Sequence, residues 1–285
     1  MISKDNSKQI IKTKLEIEDI INFELYPLSF LHKYPELIEY CHYQFKTSRC
    51  CVFKNFLTSK ALEILQQESE LLAPQAYYAK RYTNAFKTED DPSLPLDHPI
   101  RFFMERTNAF VSTNHFDSNS LFKTLYHEPI FKKFLAACLD KEIIYEYEDP
   151  LAGLVLNILG NDAQHPWHYD QNDFSIVLMI QTAKSGGIFE FADNIRTPEN
   201  ENYHLVNQVL HGKYKKLQSI NLQPGDLQIF KGKNSLHRVT KVSGETNRYT
   251  AIFSYTSEQE VIGKARDREL LFGEVKSENK TKFPG

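Results

Sequence analysis

His168-Tyr169-Asp170 places an imidazole and a carboxylate two residues apart. In an extended strand, residues i and i+2 point to the same face, so both can reach one metal ion. Two histidines and one carboxylate form the facial ligand set of non-haem Fe(II) oxygenases, which leaves positions open for a cosubstrate and O2. The triplet alone carries little weight, since ten histidines and 37 acidic residues in 285 positions produce about one His-x-Asp/Glu by chance. The chain holds a second, His115-Phe116-Asp117, but it runs into a predicted helix where Asp117 suits a cap. Context downstream favours the first. A Pro224-Gly225-Asp226 turn leads into a strand, another turn covers 231–234, and Ser235-Leu236-His237-Arg238-Val239 follows. His237 supplies the second imidazole. Eleven residues later, Arg248-Tyr249-Thr250 puts a guanidinium and a hydroxyl on one strand face. An arginine there grips a carboxylate through two parallel charge-assisted hydrogen bonds, and Thr250 adds a third. A metal triad with a buried arginine one strand away suits a chelating 2-oxo acid. No GxSxG elbow, P-loop, GxGxxG or HExxH is present.

The elements that must hold these residues divide the chain. Over 1–150 the pattern is mainly helical. Ser59 caps a run of helically spaced apolar residues that stops before Pro74. Asp117 to Ser120 forms a second capping cluster, and Pro129 opens an apolar helix over 130–139. Residues 75–117 read as loops with short elements. From 151 to 257 the texture becomes β. Runs at 154–159, 174–181, 188–191, 217–222, 227–230, 236–242 and 249–255 are separated by Gly/Pro turns such as Ser185-Gly186-Gly187. Helices first and strands later indicate an α+β domain with a β-sandwich or barrel. A polar insert at 197–212 predicts a helix from Tyr203 that ends at Gly212, and it suits a lid. Residues 258–285 read as a C-terminal extension, charged and frayed from about Lys276.

Composition narrows the function classes. The hydrophobic fraction is 41%, the charged fraction 25% and the net charge −3, which describes a globular chain with no electrostatic lure for nucleic acid. The N-terminus is polar, with no apolar segment behind it, and no run is long enough to span a bilayer. Four cysteines without a CxxC pair predict reduced thiols and a cytoplasmic location.

His168-x-Asp170, His237 and Arg248-x-Thr250 resemble the pattern of the Fe(II)- and 2-oxoglutarate-dependent dioxygenases. The resemblance covers 151–257 well and implies a double-stranded β-helix, a distorted jelly roll, with the helical N-terminal region packed on it as one oxygenase domain. His165-Pro166-Trp167-His168-Tyr169-Asp170, Asn172-Asp173-Phe174, Gly186-Gly187 and Asn194-Ile195-Arg196 look more closely like a subgroup that includes radical halogenases of free amino acids. Those halogenases replace the triad carboxylate by Gly, which frees a site for chloride. This chain keeps Asp170, so the resemblance implies hydroxylation, with desaturation or cyclisation as variants of the same chemistry. Where the halogenases tend to carry an acidic substrate contact, this chain has Gln171. The implied cofactors are Fe(II), held by His168, Asp170 and His237, 2-oxoglutarate on Arg248 and Thr250, and O2. Succinate and CO2 are the coproducts.

Further candidates follow. Asn157 is polar amid Leu, Val and Ile and can meet the cosubstrate. His165 can touch substrate, whereas Trp167 alternates with the metal pair and suits core packing. For an amino-acid substrate, Arg101 or Arg106 can take the carboxylate and Asp173 the amine. The competing class is a non-catalytic, cupin-like binding protein, which needs neither Arg248 nor an open metal position. The expected partner is a small molecule, not nucleic acid or membrane.

Overall fold

The computed structural model describes residues 15–263 and 265–273. Both predicted termini, 1–14 and 274–285, lie outside them.

Ten strands form two facing sheets. In chain order they are β1 (Cys50–Phe53), β2 (Ala109–Val111), β3 (Leu154–Leu159), β4 (His165–His168), β5 (Ser175–Gln181), β6 (Phe189–Ala192), β7 (Gln218–Ile220), β8 (Leu227–Phe230), β9 (Leu236–Val239) and β10 (Arg248–Phe253). The major sheet runs β1-β8-β5-β10-β3-β2 and the minor sheet β7-β6-β9-β4. The pairing within both is antiparallel.

Alternation along the strands explains the layering. In the major sheet, Leu154, Leu156, Ile158, Ile176, Leu178, Leu227, Ile229, Ala251 and Phe253 face one way into the largest core. The other face carries Val155, Asn157, Thr250 and Arg248 toward the minor sheet, because a strand with both faces covered becomes buried at every position. All six residues of β3 are buried. Four helices cover the outer face: α1 (Pro35–Thr47), α2 (Ser59–Leu72), α3 (Leu121–His127) and α4 (Pro129–Cys138). In α2, Ala61, Leu65, Ser69 and Leu72 make one buried stripe at helical spacing. Its cap is Thr58, one residue before the predicted Ser59, and the Thr58 hydroxyl accepts from the Ala61 N–H at 3.1 Å. Ser120 caps α3, and Glu128 caps α4 ahead of Pro129.

Two strands escaped the sequence reading: beside its helices, the N-terminal region supplies β1 and β2, the outer strands of the major sheet. Strands of three or four residues are too short to show alternation in sequence, and the longer neighbours β8 and β3 supply their hydrogen-bond partners. The insert at 197–212 does form the predicted helix, α5 (Tyr203–Leu210), with Gly212 at φ +68°. It is a packed layer outside the minor sheet rather than a lid. Val206 and Val209 are buried against Trp167, Ala192 and Leu236. A last helix, α6 (Ala265–Phe272), packs near β2, where Phe272 meets Phe110 with ring centroids 6.3 Å apart. The four cysteines are buried and unpaired, as expected for reduced thiols.

Candidate active site

The pairing of β9 with β4 puts His237 directly opposite His168. Both imidazoles face inward, and their ring centroids are 4.1 Å apart. Each is fixed from behind by a main-chain carbonyl. Nδ1 of His168 lies 2.8 Å from the Pro166 carbonyl, and Nδ1 of His237 lies 2.9 Å from that of Ser235. A carbonyl can only accept, so each Nδ1 carries the proton and each Nε2 presents a lone pair.

Asp170 sits just past the end of β4. Its Oδ1 lies 3.7 Å from His168 Nε2 and 3.3 Å from His237 Nε2. Its other oxygen accepts a hydrogen bond from the Ser175 hydroxyl at 2.7 Å, and its N–H donates to the Gly232 carbonyl at 3.3 Å. One ligand atom from each residue falls within 4.8 Å of the others. Among the described residues this is the single His/Cys/Asp/Glu cluster able to hold a metal ion. Two imidazole nitrogens and a carboxylate oxygen, with second-shell acceptors setting both tautomers, fit Fe(II).

The electrostatics agree with that donor set. Burial, and then the neighbouring His165 and His237, push the His168 imidazole well below the usual histidine range, so it is neutral and able to ligate. Burial acts to raise the Asp170 carboxyl, but its close contacts with His237 and then His168 outweigh that and hold it well below the ordinary carboxylate range.

Gly232 has a role that composition hides. A Cβ built there would overlap Asp170 Oδ2 and lie 2.7 Å from its Cγ. Gly232→Ala should therefore displace the carboxylate and weaken Fe(II) binding by roughly 10–100-fold, with the fold retained. Anaerobic metal titration measures this, and an unaltered affinity would show that Asp170 can ligate without that clearance.

Arg248 starts β10 and is 3% exposed. Its Nε donates to the Gly187 carbonyl at 3.0 Å and its Nη1 to Thr250 Oγ1 at 3.4 Å. Gly187, at φ +68°, leaves room for it, since a Cβ there would lie 2.7 Å from Arg248 Cδ. Among the described residues no carboxylate forms an ion pair with Arg248, and burial lowers its pKa to about 10. A buried cation without an anion is costly, so this pocket suits a carboxylate-bearing ligand. Asn157 lies opposite Thr250 in the β3–β10 register and donates to its hydroxyl at 3.3 Å. Asn157 thus orients Thr250, and its Oδ1 is filled by Asn108 Nδ2 at 2.8 Å.

The profile of the halogenase D family matches residues 34–269. The chain belongs to that family. Solved structures share the fold at low identity. A 2OG-Fe(II) oxygenase family oxidoreductase from Burkholderia pseudomallei is 10% identical with TM-score 0.51, over 79% of this chain and 92% of that one. AviO1 from Streptomyces viridochromogenes Tue57 is 14% identical with TM-score 0.53, over 78% and 95%. The α-ketoglutarate-dependent epimerase SnoN from nogalamycin biosynthesis is 9% identical with TM-score 0.53, over 78% and 81%. No curated protein matches the sequence. Family membership and the His-Asp-His cluster make the protein an enzyme of the Fe(II)- and 2-oxoglutarate-dependent oxygenase class. Its architecture is the jelly roll predicted from sequence. Among the described residues no helix is long and apolar enough to cross a membrane.

The substrate candidates separate in space. His165 stacks on His168, with centroids 3.8 Å apart and planes 16° apart. Burial and then the Arg106 charge hold its pKa well below the ordinary value. Arg106 is 6% exposed and forms no ion pair among the described residues. Its Nε donates to Asn108 Oδ1 at 2.9 Å, its Nη1 reaches the Leu270 carbonyl at 3.5 Å, and it lies 5.1 Å over the Phe110 ring. Burial and the nearby Arg81 charge lower its pKa to about 10.

Arg101 and Asp173 do not join this group. Arg101 closes its fork on Asp90 at 3.0 and 3.2 Å and donates to the Leu94 carbonyl, so it braces a loop. Asp173 is exposed and pairs with Lys233 at 2.8 Å. Trp167 is buried on the strand face away from the metal pair, packed with Val206 and Val209 as predicted, and the Arg238 guanidinium lies 4.6 Å over its ring. Asn108 escaped sequence reading although it carries the same signal as Asn157, a polar residue abutting an apolar run, Ala109-Phe110-Val111.

Proposed function

We propose that the protein hydroxylates a free amino acid, with His168, Asp170 and His237 holding Fe(II), Arg248 and Thr250 holding the far carboxylate of 2-oxoglutarate, and Arg106 taking the substrate carboxylate. The observation that carries this reading is a pair of buried arginines with no carboxylate partner among the described residues. They sit at the two ends of one hydrogen-bonded chain, Arg248–Thr250–Asn157–Asn108–Arg106. Two unmatched cations call for two anionic ligands, and the two carboxylates of one cosubstrate do not serve both. The 2-oxo acid end of the cosubstrate chelates the metal, and its far end answers Arg248. A second acid is left for Arg106.

The overall balance is C–H plus O2 plus 2-oxoglutarate giving C–OH, succinate and CO2. Bound Fe(II) would supply O2 activation, using the electrons released when the 2-oxo acid is decarboxylated. The chain's own residues position the reactants. Asp170 fills the coordination position that a halide needs, which favours hydroxylation over halogen transfer. Neutral His165 packs flat against His168 beside Arg106 and can accept a hydrogen bond from the substrate amine.

The test is succinate release across the free amino acids with Fe(II), 2-oxoglutarate and O2, with product mass read in parallel. Arg106→Met should raise the substrate KM by about 100-fold, the loss expected for a buried charge-assisted carboxylate contact, without altering 2-oxoglutarate affinity. An unchanged KM in Arg106→Met, or a panel in which no amino acid stimulates succinate release, would sink the proposal.

A further inference from the structure

We infer that the substrate's side chain is apolar and uncharged, about four to six non-hydrogen atoms in size. This rests on the amino-acid reading above. A cavity of about 180 Å³ opens beside Asp170 at the mouth of the barrel. One wall comes from the sheet: Phe110 from β2, Val155 from β3 and Ile252 from β10. The other comes from the last turn of α6: Leu270, Leu271 and Phe272. Two of these residues also touch the carboxylate anchor, since Arg106 lies over Phe110 and donates to the Leu270 carbonyl. Arg106 is not itself part of the cavity wall, but it adjoins it through Phe110 and Leu270, so a substrate held there can extend its side chain into this space, where Asp170 stands on the wall.

The polar groups on the wall exclude the alternatives. The cavity is bordered by two carboxylates, Asp170 and Asp149. Asp170 belongs to the metal cluster. Asp149 has no exposed side-chain surface, and each of its oxygens is taken. Oδ1 accepts the N–H groups of Leu151 and Ala152 at 2.9 and 3.1 Å. Oδ2 accepts the Gly263 N–H at 3.1 Å and lies 3.7 Å from Arg268 Nε. Neither can serve a substrate ammonium. Arg268 is already engaged with Asp149 and Gln171 is neutral, so a cationic side chain would lie among Phe110, Val155 and Ile252 with neither carboxylate available to it. An acidic side chain would have to bury its charge among Phe110, Val155 and Ile252 and compete with Asp149 for Arg268. An apolar cavity of about 150 Å³ holds a benzene-sized group, so this space accommodates the side chains of leucine, isoleucine or methionine.

The test is binding to the anaerobic Fe(II)/2-oxoglutarate complex, followed by calorimetry and by the change in its visible spectrum. The panel is leucine, isoleucine and methionine against lysine, ornithine, glutamate and alanine. The expected result is at least about tenfold tighter binding of the first three than of any of the others. Ile252→Glu should reverse the order in favour of lysine. Tighter binding of lysine, ornithine or glutamate to the wild type overturns the side-chain assignment and leaves the amino-acid reading standing. Binding of none of the seven overturns both. Should Ile252→Glu fail to fold, the wild-type ranking decides alone.

Discussion

Asp170→Gly should abolish hydroxylation and weaken Fe(II) binding by more than about 100-fold, because loss of a direct ligand exceeds the roughly 10–100-fold cost of losing a second-shell partner. The reason lies in the geometry of the cluster. Oδ1 of Asp170 is the one anionic donor near two neutral imidazoles, at 3.7 and 3.3 Å from their Nε2 atoms. Its deletion leaves two neutral ligands and an open position beside them. Chloride can fill that position, so added chloride should recover part of the metal affinity in the variant and none in the wild type. The fold should survive, since Asp170 lies in a loop and its side chain engages Ser175 and the two imidazoles rather than the hydrophobic core. Metal titration with and without chloride, alongside product mass, reads all three effects. Wild-type turnover in Asp170→Gly would remove the residue from the ligand set and return the site to a bis-histidine binder.

Arg248→Met separates cosubstrate recognition from structure. In the free protein Arg248 is buried with two neutral acceptors, Gly187 O and Thr250 Oγ1, and no carboxylate. Replacing it with an apolar side chain of similar length removes an uncompensated charge, so the metal-free variant should be as stable as the wild type or more so. Its 2-oxoglutarate affinity should fall by about 3 kcal/mol, roughly 100-fold, the worth of two charge-assisted hydrogen bonds. Thermal unfolding and anaerobic 2-oxoglutarate titration measure the two effects. A structural ion-pair arginine predicts the opposite pattern, with stability lost and affinity kept. A cupin-like binder would show no visible band on adding Fe(II) and 2-oxoglutarate to the wild type.

Much of the site was legible because strand periodicity and donor chemistry are local. The i, i+2 spacing of His168 and Asp170, and of Arg248 and Thr250, states which side chains share a face before any partner strand is known. The Ser185-Gly186-Gly187 turn was visible as a turn, while its second role, making room for the Arg248 stem, appeared only when two strands came together. The same holds for Gly232, whose missing side chain matters because Asp170 packs where it would lie. β1 and β2 stayed hidden because three or four residues show no period, and their strand state depends on a neighbour already in place. Arg101 and Arg106 looked equivalent five positions apart. Tertiary contacts separated them, giving Arg101 an aspartate and leaving Arg106 buried without one.

The local pattern of residues along each strand was enough to bring out His168, Asp170 and His237 as one cluster, Arg248 beside Thr250 on one face, and the α+β class, because a side chain's face depends on neighbours one or two residues away. Three-dimensional packing alone decided which arginine is buried and which is held by an aspartate, that the C-terminal helix rather than the 197–212 insert borders the pocket, and which glycines make room beside Asp170 and Arg248. Those properties depend on distances between segments far apart in the chain, and no short-range pattern encodes them.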